Sequence, residues 1–399
     1  MANTETDRKL PVGVADITES DCALKNRIET EIAAALDSFG YNEIQTPTFE
    51  YFSVFAEDLS GREDIIKFID TAGQIMALRP DYTPAISRFT ALHKGEEDFP
   101  LRLRYRGSIF RGGESYTGVR QKEFTQAGAE LIGDCSPDAD AEIICATIEA
   151  LLRAGLEDFQ LELGHSGFLK GLVGDRLSED ELAALVKLLD KKSVPEIDDF
   201  CRELVADREL SALLRELPLL YGGTEIAEEM LGRGLPAESE AALRNLLEVC
   251  YAVKDCGYER FISVDLGLVR SFGYYTGVMF KGITHSMAFP ICGGGRYDRL
   301  SGRFGKSFSA TGTAIWSDRV MAAIARRKQG PEPPKADLLV WYTDAGDRAA
   351  AFCAAKEKRK EGLRVICERH SFASDDETAK YLSKHKILSA VKAEKEADI

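Results

Sequence analysis

The chain of 399 residues lacks any apolar run that approaches the roughly 20 residues a membrane-spanning helix needs. Its first residues, Met1 to Arg8, form neither an apolar leader core nor an arginine-rich amphipathic helix. With 44% apolar and 29% charged residues, the composition fits a folded protein rather than a disordered one. We therefore expect a cytoplasmic protein of two or three domains that has no membrane partner.

Paired cysteine motifs are also missing. The nine cysteines are spread from Cys22 to Cys367 and contain no C-x-x-C spacing, which favours neither a zinc knuckle nor a disulfide scaffold. The five histidines show no metal-ligand spacing among themselves. We expect free thiols in a reducing compartment and no bound metal.

Basic residues are in deficit. The chain has 51 Lys and Arg against 66 Asp and Glu, which gives a formal net charge of -15. Such a chain repels a phosphate backbone unless a local basic patch overrides the balance. Nucleic acid is therefore not an expected partner on charge alone.

What the sequence does contain is a mixture of helical and strand periodicity. Apolar residues recur at helical spacing from Asp21 to Phe39 and over residues 138–155. Alternating patterns from Leu101 to Phe110 and from Lys122 to Ile132 predict two antiparallel strands, and strand character returns from Phe261 to Phe280. These segments predict an α+β fold in which an antiparallel sheet is flanked by helices.

Shifts in composition divide the chain into domains. Residues 172–256 are rich in Leu, Ala, Glu and Asp, which predicts a helical insertion. Residues 330–334 are typical of a linker, and residues 335–399 carry the strand–helix–strand pattern of a small α/β domain. The core domain is then expected to consist of residues 1–171 and 257–329.

Four arginines mark the first strand of the predicted hairpin. Arg102, Arg104 and Arg106 alternate with apolar residues and so share one strand face, while Arg111 stands at the strand end. Guanidinium groups bind carboxylates or phosphates in a bidentate manner. A solvated sheet face is the alternative, and the pattern does not decide between the two.

The second strand places Gln126, Gly128 and Glu130 on one face. Burying an unpaired amide or carboxylate costs roughly 1–3 kcal/mol, so polar groups on an inward face are expected to bind something. We interpret Gln126 and Glu130 as pocket residues. The alternative is that Glu130 is satisfied by the neighbouring arginine strand.

Two further segments present polar groups. A turn stiffened by prolines presents Asp81 and Thr83, a carboxylate and a hydroxyl suited to an ammonium group, although capping of the turn is the plainer alternative. A later segment contains Arg270, Tyr274 and Tyr275, in which an arginine suits a ligand carboxylate and a phenol suits a polar ring. If that segment is a strand, the two tyrosines point to opposite faces and one belongs to the core.

The glycine-rich motifs do not indicate a nucleotide site. The Gly305-Lys306-Ser307 sequence ends like a phosphate-binding loop, but Leu300 occupies the position where that loop requires glycine. The run Gly293 to Gly295 lacks the spacing of a dinucleotide fingerprint and predicts a turn or a place of close packing.

Taken in chain order, these segments resemble the catalytic core of the class II aminoacyl-tRNA synthetases, and specifically the histidyl-tRNA synthetases. The resemblance covers residues 10–328 and implies the class II fold, with a homodimer contact around Pro47. The matching segments are Gly40–Pro47, Leu78–Thr83, Tyr105–Arg111, Phe124–Glu130, Arg270–Gly277, Gly293–Asp298 and Gly312–Arg319.

The resemblance also implies the roles of individual residues in a histidine-binding pocket. Asp81, Thr83 and Gln126 are expected at the α-amino group of histidine. Arg270 is expected at its carboxylate, and Glu130 with Tyr275 at the two imidazole nitrogens, where a phenol opposite a carboxylate matches one donor and one acceptor. Tyr274 is expected among the histidine-binding residues as well. The positions that correspond to the ATP site are Arg106, Arg111, Trp316 and Arg319.

Several residues depart from the synthetase pattern. Trp316 stands where synthetases carry a small glycine, and an indole there fills space that the adenine of ATP needs. Gly273 replaces an acidic residue before the tyrosine pair, and Asp81 replaces a glutamate. The residues after Arg111 differ as well. These departures imply that the amino-acid pocket persists while the adenylation site has decayed, so that no catalytic residue is expected.

That combination is similar to the regulatory subunits of ATP phosphoribosyltransferase, which are paralogues of histidyl-tRNA synthetase. The resemblance implies a non-catalytic chain that joins a short catalytic subunit in a hetero-oligomer and takes part in histidine feedback on the first step of histidine biosynthesis. Histidine is then the ligand, with no cofactor. The tail after Pro334 has nearly equal numbers of acidic and basic residues and so is no basic platform for tRNA. Two alternatives stay open: a histidine–tRNA ligase with a truncated anticodon-binding domain, and a tRNA-binding regulatory paralogue.

Overall fold

The computed structural model describes residues 9–56, 65–112, 121–269, 274–327 and 335–394. The chain divides into two compact units, residues 1–328 and 329–399. Within the described ranges, no helix is both long and apolar enough to cross a membrane.

The first unit contains ten helices and twelve strands among its described residues. The helices are α1 (Glu19–Ser38), α2 (Thr83–His93), α3 (Pro137–Arg153), α4 (Ser166–Val173), α5 (Glu179–Asp190), α6 (Val194–Leu204), α7 (Arg208–Glu216), α8 (Glu225–Leu231), α9 (Ala237–Asp255) and α10 (Ser317–Arg327). The strands are β1 (Asn42–Glu43), β2 (Phe49–Tyr51), β3 (Lys67–Ile69), β4 (Ile75–Leu78), β5 (Leu101–Phe110), β6 (Glu123–Ile132), β7 (Gln160–His165), β8 (Tyr221–Gly222), β9 (Ile262–Asp265), β10 (Val278–Thr284), β11 (Met287–Arg296) and β12 (Ala310–Trp316).

A nine-stranded sheet with the order β1-β5-β6-β12-β11-β10-β7-β9-β8 forms the centre of this unit. The six neighbouring strands β5, β6, β12, β11, β10 and β7 are each antiparallel to the next one in the sheet. Strand β1 pairs in parallel with β5, and β9 pairs in parallel with β7. The predicted α+β fold with a mainly antiparallel sheet is confirmed. Strands β2, β4 and β3 form a separate antiparallel sheet, so the segment around Pro47 is extended at sheet edges as predicted.

Helices α1, α3 and α10 cover one face of the main sheet. Their apolar side chains pack with the β6 residues Ala127, Ala129 and Leu131, which the period of two places on that face. Ser136 caps the start of helix α3, where its side chain accepts a hydrogen bond from Ala139 N, and Pro137 suits the first helical position. The opposite face of β6 carries Gln126, Gly128 and Glu130, as the alternation predicts.

The run Gly293 to Gly295 lies inside strand β11, so the prediction of a turn is wrong and the prediction of close packing is correct. A Cβ on Gly294 would lie 2.1 Å from the backbone oxygen of Gly312 on the neighbouring strand. Glycine normally weakens a strand, but only glycine permits this approach of two backbones. The run therefore shapes the sheet beneath the pocket described below.

The arginines of β5 are largely paired across the covered face. Arg102 forms two hydrogen bonds to Glu142 of α3, at 2.8 and 2.7 Å, and Arg104 binds Asp37 and Glu43. These ion pairs thus join β5 to α1, α3 and β1.

Residues 172–256 contain the helices α5 to α9, as their composition predicts, with one exception. The short strand β8 pairs with β9 at the edge of the main sheet, through Tyr221 opposite Asp265. Two residues of strand carry too little periodicity to be found from sequence.

The second unit is a small α/β fold. Its elements are β13 (Ala336–Tyr342), α11 (Arg348–Lys360), β14 (Val365–Arg369), α12 (Asp375–His385) and β15 (Ile387–Lys392). The strands form a parallel sheet in the order β14-β13-β15, and the predicted strand–helix–strand pattern is confirmed for its first three elements. Val340 packs with α11 and Leu339 with α12, because successive side chains of β13 point to opposite faces.

Candidate functional site: a polar pocket on the open face of the main sheet

A pocket lies on the sheet face opposite helices α1, α3 and α10. Strands β6, β12 and β11 form its floor, and the β4–α2 turn and the segment before β10 form its sides. Its lining residues are Asp81, Thr83, Arg111, Gln126, Glu130, Tyr274, Tyr275, Gly293, Gly294, Gly295, Tyr297, Gly312, Thr313, Ala314 and Trp316.

The turn between β4 and α2 places Asp81 and Thr83 against the floor. Asp81 Oδ1 accepts a hydrogen bond from Thr83 N at 3.3 Å, which fixes the carboxylate at the start of α2. Arg111, at the end of β5, stands 3.6 Å from the other Asp81 oxygen. Both predicted residues of this turn thus reach the pocket. The alternative, a local contact of the Asp81 carboxylate within the turn, is present as well, although no side chain among the described residues caps α2.

Glu130 is the most deeply placed acid of the pocket, with 1% of its surface exposed. Its Oε1 accepts a hydrogen bond from Thr83 Oγ1 at 2.8 Å, and its Oε2 accepts one from the Tyr297 hydroxyl. Burial raises the pKa of Glu130 to about 8, although both hydroxyl donors oppose that rise, and the nearby Asp81 adds to it. The alternative pairing of Glu130 with the arginine strand is wrong, because those arginines lie on the other face.

Gln126 and Trp316 stand directly opposite each other across the β6–β12 ladder. Gln126 is 1% exposed, and among the residues that the structure describes neither its Oε1 nor its Nε2 has a hydrogen-bond partner. The indole nitrogen of Trp316 is likewise buried without a partner in that set. The pocket therefore contains polar groups that the described part of the chain does not satisfy.

Tyr274 and Tyr275 both line the pocket, with ring centroids 4.9 Å apart. The expectation that one of them belongs only to the core is wrong, because the segment is not a strand and β10 begins at Val278. Tyr274 also packs edge-on against Tyr297, at 6.1 Å between centroids. The predicted carboxylate ligand Arg270, together with Gly273, lies outside the described residues.

Tyr297 is a site residue that sequence reasoning missed. It follows the glycine strand β11, is fully enclosed, and donates its hydroxyl proton to Glu130. Burial and the neighbouring Glu130 carboxyl raise the pKa of Tyr297 well above its ordinary value, so it stays a donor at neutral pH. The signal that was available is a phenol two positions after the glycine run Gly293 to Gly295.

Comparison with known proteins assigns the chain to a family. A family model described as histidyl-tRNA synthetase matches residues 13–320. The ATP phosphoribosyltransferase regulatory subunit of Acetivibrio thermocellus is 39% identical, over 93% of this chain and 88% of the relative. The protein of the same name from Caldanaerobacter subterraneus is also 39% identical, over 92% of this chain and 98% of the relative. The chain belongs to the ATP phosphoribosyltransferase regulatory subunit family.

A solved structure supports the same assignment for the fold. A protein from Bacillus halodurans, described as an ATP phosphoribosyltransferase regulatory subunit/histidyl-tRNA synthetase, superposes with a TM-score of 0.85 at 28% identity. The match covers 98% of this chain and 99% of that one. The predicted membership in the regulatory subunit family and the predicted class II fold are both confirmed.

The four positions that correspond to a synthetase ATP site are not brought together in this member of the regulatory subunit family. Arg111 and Trp316 line the pocket, and the Arg319 guanidinium lies over the Trp316 ring at 4.6 Å. Arg106 stands opposite Ala127 in the β5–β6 ladder, and its guanidinium lies 3.9 Å from Glu29 of α1. It therefore projects to the helix-covered face, away from the pocket.

Proposed function

We propose that this chain is the non-catalytic regulatory subunit of an ATP phosphoribosyltransferase, that it binds histidine in the pocket, and that it passes the occupancy of the pocket to a short catalytic subunit. The family name of its relatives supports the catalytic partner. The observation that carries the histidine proposal is the arrangement around Glu130: a buried acid, two hydroxyl donors and an amide without a partner among the described residues, all in one pocket. The enzyme step is the first of histidine biosynthesis.

The chemistry of the pocket suits histidine part by part. Glu130 and Tyr275 offer an acceptor and a donor to the two ring nitrogens, and Asp81 with Gln126 offers acceptors to the ammonium group. Arg270 is the expected partner of the carboxylate. Because an amino acid without ring nitrogens would form neither of these hydrogen bonds with Glu130 and Tyr275, the pocket should discriminate against it.

Regulation requires that histidine and the catalytic subunit affect each other's binding. A coupling free energy of about 1–3 kcal/mol is typical and corresponds to a change of roughly 5- to 150-fold in affinity. Linkage makes the effect reciprocal, so that the assembled complex should bind histidine with an affinity different from that of the isolated chain.

Reconstitution tests the proposal. A short catalytic subunit should gain activity when mixed with this chain, and added histidine should inhibit the mixture. An isolated chain that catalyses histidine-dependent exchange of pyrophosphate with ATP would instead establish a ligase. Salt-sensitive binding of tRNA in a gel shift would establish the tRNA-binding alternative, against which the net charge of -15 argues.

Trp316 is proposed to exclude the adenine ring from the old nucleotide site. Trp316→Gly should enlarge the pocket at this end and improve ATP binding in calorimetry, because the indole lies on the pocket side of β12 under Arg319. Equal ATP binding by the variant and the native chain would contradict the exclusion.

We propose that the chain forms a homodimer within the assembly, and an exposed aromatic face on the small sheet supports this. Tyr51 and Phe68 lie on the same face, Tyr51 is 58% exposed, and the rings of Phe49 and Phe68 are in edge contact at 5.6 Å. Exposed apolar patches of this kind mark interaction surfaces. Tyr51→Glu should yield monomers in analytical ultracentrifugation, whereas Leu219→Glu, at a residue that is 65% exposed elsewhere, should not. A monomeric native chain would contradict the proposal.

A further inference from the structure

Two cysteines that are far apart in the sequence meet where helices α3 and α9 pack together. Cys145 lies on α3 and is 3% exposed, whereas Cys256 directly follows the last residue of α9 and is exposed to solvent. The two thiols are hydrogen-bonded to each other and line the same surface groove. An oxidant in the groove can therefore reach an exposed sulfur that already contacts a buried one.

The end of α9 is fixed on α3 beside this pair. Gly257 has a φ of +84° and ends the helix in a left-handed turn directly after Cys256. The next side chain, Tyr258, donates its hydroxyl proton to Glu149 Oε2 at 3.1 Å. Glu149 stands one helical turn after Cys145 on the same side of α3. A helix end and a side-chain hydrogen bond thus hold the two thiols together, so little further ordering is needed before their sulfurs react.

The buried member of the pair keeps its proton. Burial raises the pKa of the Cys145 thiol well above its ordinary value, and the neighbouring Cys256 adds to the rise. Cys145 is therefore the donor in the hydrogen bond, and the Cys256 sulfur is the acceptor. Oxidants react with exposed cysteines that can form a thiolate, so Cys256 is the sulfur that reacts first.

The groove around the pair favours a small neutral oxidant. Its charged lining residues are Arg102, Asp138, Glu142 and Asp255, and Arg102 already forms an ion pair with Glu142 at 2.7 Å. This excess of acids repels an anionic oxidant such as glutathione disulfide, whereas hydrogen peroxide carries no charge. Peroxide is therefore the class of oxidant that suits the groove.

We propose that Cys145 and Cys256 are a peroxide-reactive pair that closes to a disulfide between α3 and α9, which thiol reductants reopen. The Cys256 sulfur attacks one oxygen of hydrogen peroxide, the O–O bond breaks, and the departing hydroxide takes the thiol proton and leaves as water. Cys256 is then a sulfenic acid. The Cys145 sulfur attacks the Cys256 sulfur, and the S–S bond forms while the S–O bond breaks. The second hydroxide takes the Cys145 proton, so that two thiols lose two electrons and one peroxide becomes two waters.

Helix α3 connects this pair to the main sheet. Its Thr147 donates a hydrogen bond to Thr313 of β12 at 2.9 Å, and its Asp140 accepts one from Arg296 of β11 at 2.9 Å. A bond at Cys145 therefore joins α9, the last helix of residues 172–256, to a helix that contacts two strands of the sheet. The site of oxidation is a joint between the helical segment and the core domain, and the inference does not depend on the histidine site.

Peptide mapping of the intact native chain tests the pair without any mutation. The reduced, folded chain is treated with hydrogen peroxide, its remaining thiols are alkylated, and it is digested. Its main cross-link should join the peptides of Cys145 and Cys256, with a loss of two hydrogen atoms, and dithiothreitol should remove it. Oxidation of the exposed Cys22 and Cys353 without this linked peptide would overturn the proposal, as would a linked peptide that forms only after unfolding in urea.

Variants test the order of the two steps. Cys145→Ala leaves Cys256 without the thiol that displaces its hydroxyl, so dimedone should trap much more sulfenic acid at Cys256 than in the native chain. Cys256→Ala should leave the buried Cys145 unoxidised. Cys353→Ala, at an exposed cysteine in the other unit, is the matched control and should form the linked peptide as the native chain does. Equal trapping at Cys256 in the native chain and Cys145→Ala would overturn the proposal.

Discussion

Gly312 lies directly opposite Glu130 in the β6–β12 ladder, and a Cβ on Gly312 would stand 1.7 Å from Glu130 Oε2. The carboxyl group thus occupies the space that any other residue at position 312 would need for its side chain. This relationship keeps Glu130 flat against the sheet, where Thr83 and Tyr297 donate to its two oxygens. The pocket floor therefore depends on a glycine that contributes no functional group.

The first prediction concerns this contact. Gly312→Ala should lower the free energy of unfolding by about 1–3 kcal/mol, as overpacking of a filled core does, because Glu130 must leave its place. Histidine affinity should fall with it. Urea unfolding and calorimetry measure the two effects. Gly346→Ala is the control, since a Cβ there meets no atom within 4 Å. Equal stability of both variants would contradict the account of Gly312.

The sequence predicted which side chains share a strand face, but not how one strand lies against the next. Period two correctly grouped Gln126 with Glu130, and Arg102 with Arg104 and Arg106. Whether Arg106 faces the pocket depends on the register of β5 against β6, where a slip of one residue would exchange the faces. Arg106 pairs with Ala127, and so the predicted ATP-site position falls on the helix side.

The partners of Glu130 show a second limit of the sequence. Thr83 lies 47 positions away from Glu130 and Tyr297 lies 167 positions away. No local pattern links residues so distant, and the contacts arise only when the sheet order β6-β12-β11 and the β4–α2 turn bring the three residues to one pocket. Strand alternation, the proline turn and the family resemblance each pointed to Glu130 or Thr83 singly, whereas their contact and the role of Tyr297 needed the structure.

The second prediction follows from the raised pKa of Glu130. The folded state holds this proton up to a pKa of about 8, whereas the unfolded chain releases it near 4.5. The contribution of Glu130 to stability is therefore complete below about pH 4.5 and is lost as the pH rises through 8. The unliganded native chain should lose a few kcal/mol of unfolding free energy from this group between pH 5 and 8.5.

Glu130→Gln isolates that effect, because its side chain does not ionise. Urea unfolding of the variant should show a weaker fall in stability between pH 5 and 8.5 than the native chain shows. Glu357→Gln, at a 63% exposed side chain, should follow the native curve. Parallel curves for the native chain and Glu130→Gln would rule out a strongly raised pKa.

The third prediction concerns the unsatisfied amide of Gln126. Since the described residues offer its side chain no hydrogen bond, Gln126→Leu should stabilise the unliganded chain by about 1 kcal/mol, the cost of the buried amide. The same change should weaken histidine binding by more than 10-fold. Thermal unfolding measures the stability of Gln126→Leu, and calorimetry measures its affinity for histidine. If Gln126 had a purely structural role, Gln126→Leu would instead be less stable than the native chain.

The last prediction concerns the support of the glycine strand β11. Arg296, at its end, binds Asp140 of α3 at 2.9 Å, and the two side chains are 8% and 3% exposed. Removing one partner of a buried ion pair costs about 3–5 kcal/mol, because the other charge stays in the interior. Asp298 remains 3.3 Å from Arg296, so Asp140→Asn should lower the free energy of unfolding by about 3 kcal/mol, the lower end of that range.

Asp376→Asn is the control, because the side chains of its ion pair are 75% and 76% exposed, and it should lower the free energy of unfolding by under about 1 kcal/mol. Histidine affinity, measured by calorimetry, should fall in Asp140→Asn but not in Asp376→Asn, because β11 forms part of the pocket floor. Unchanged affinity of Asp140→Asn would show that the pocket floor does not depend on this ion pair.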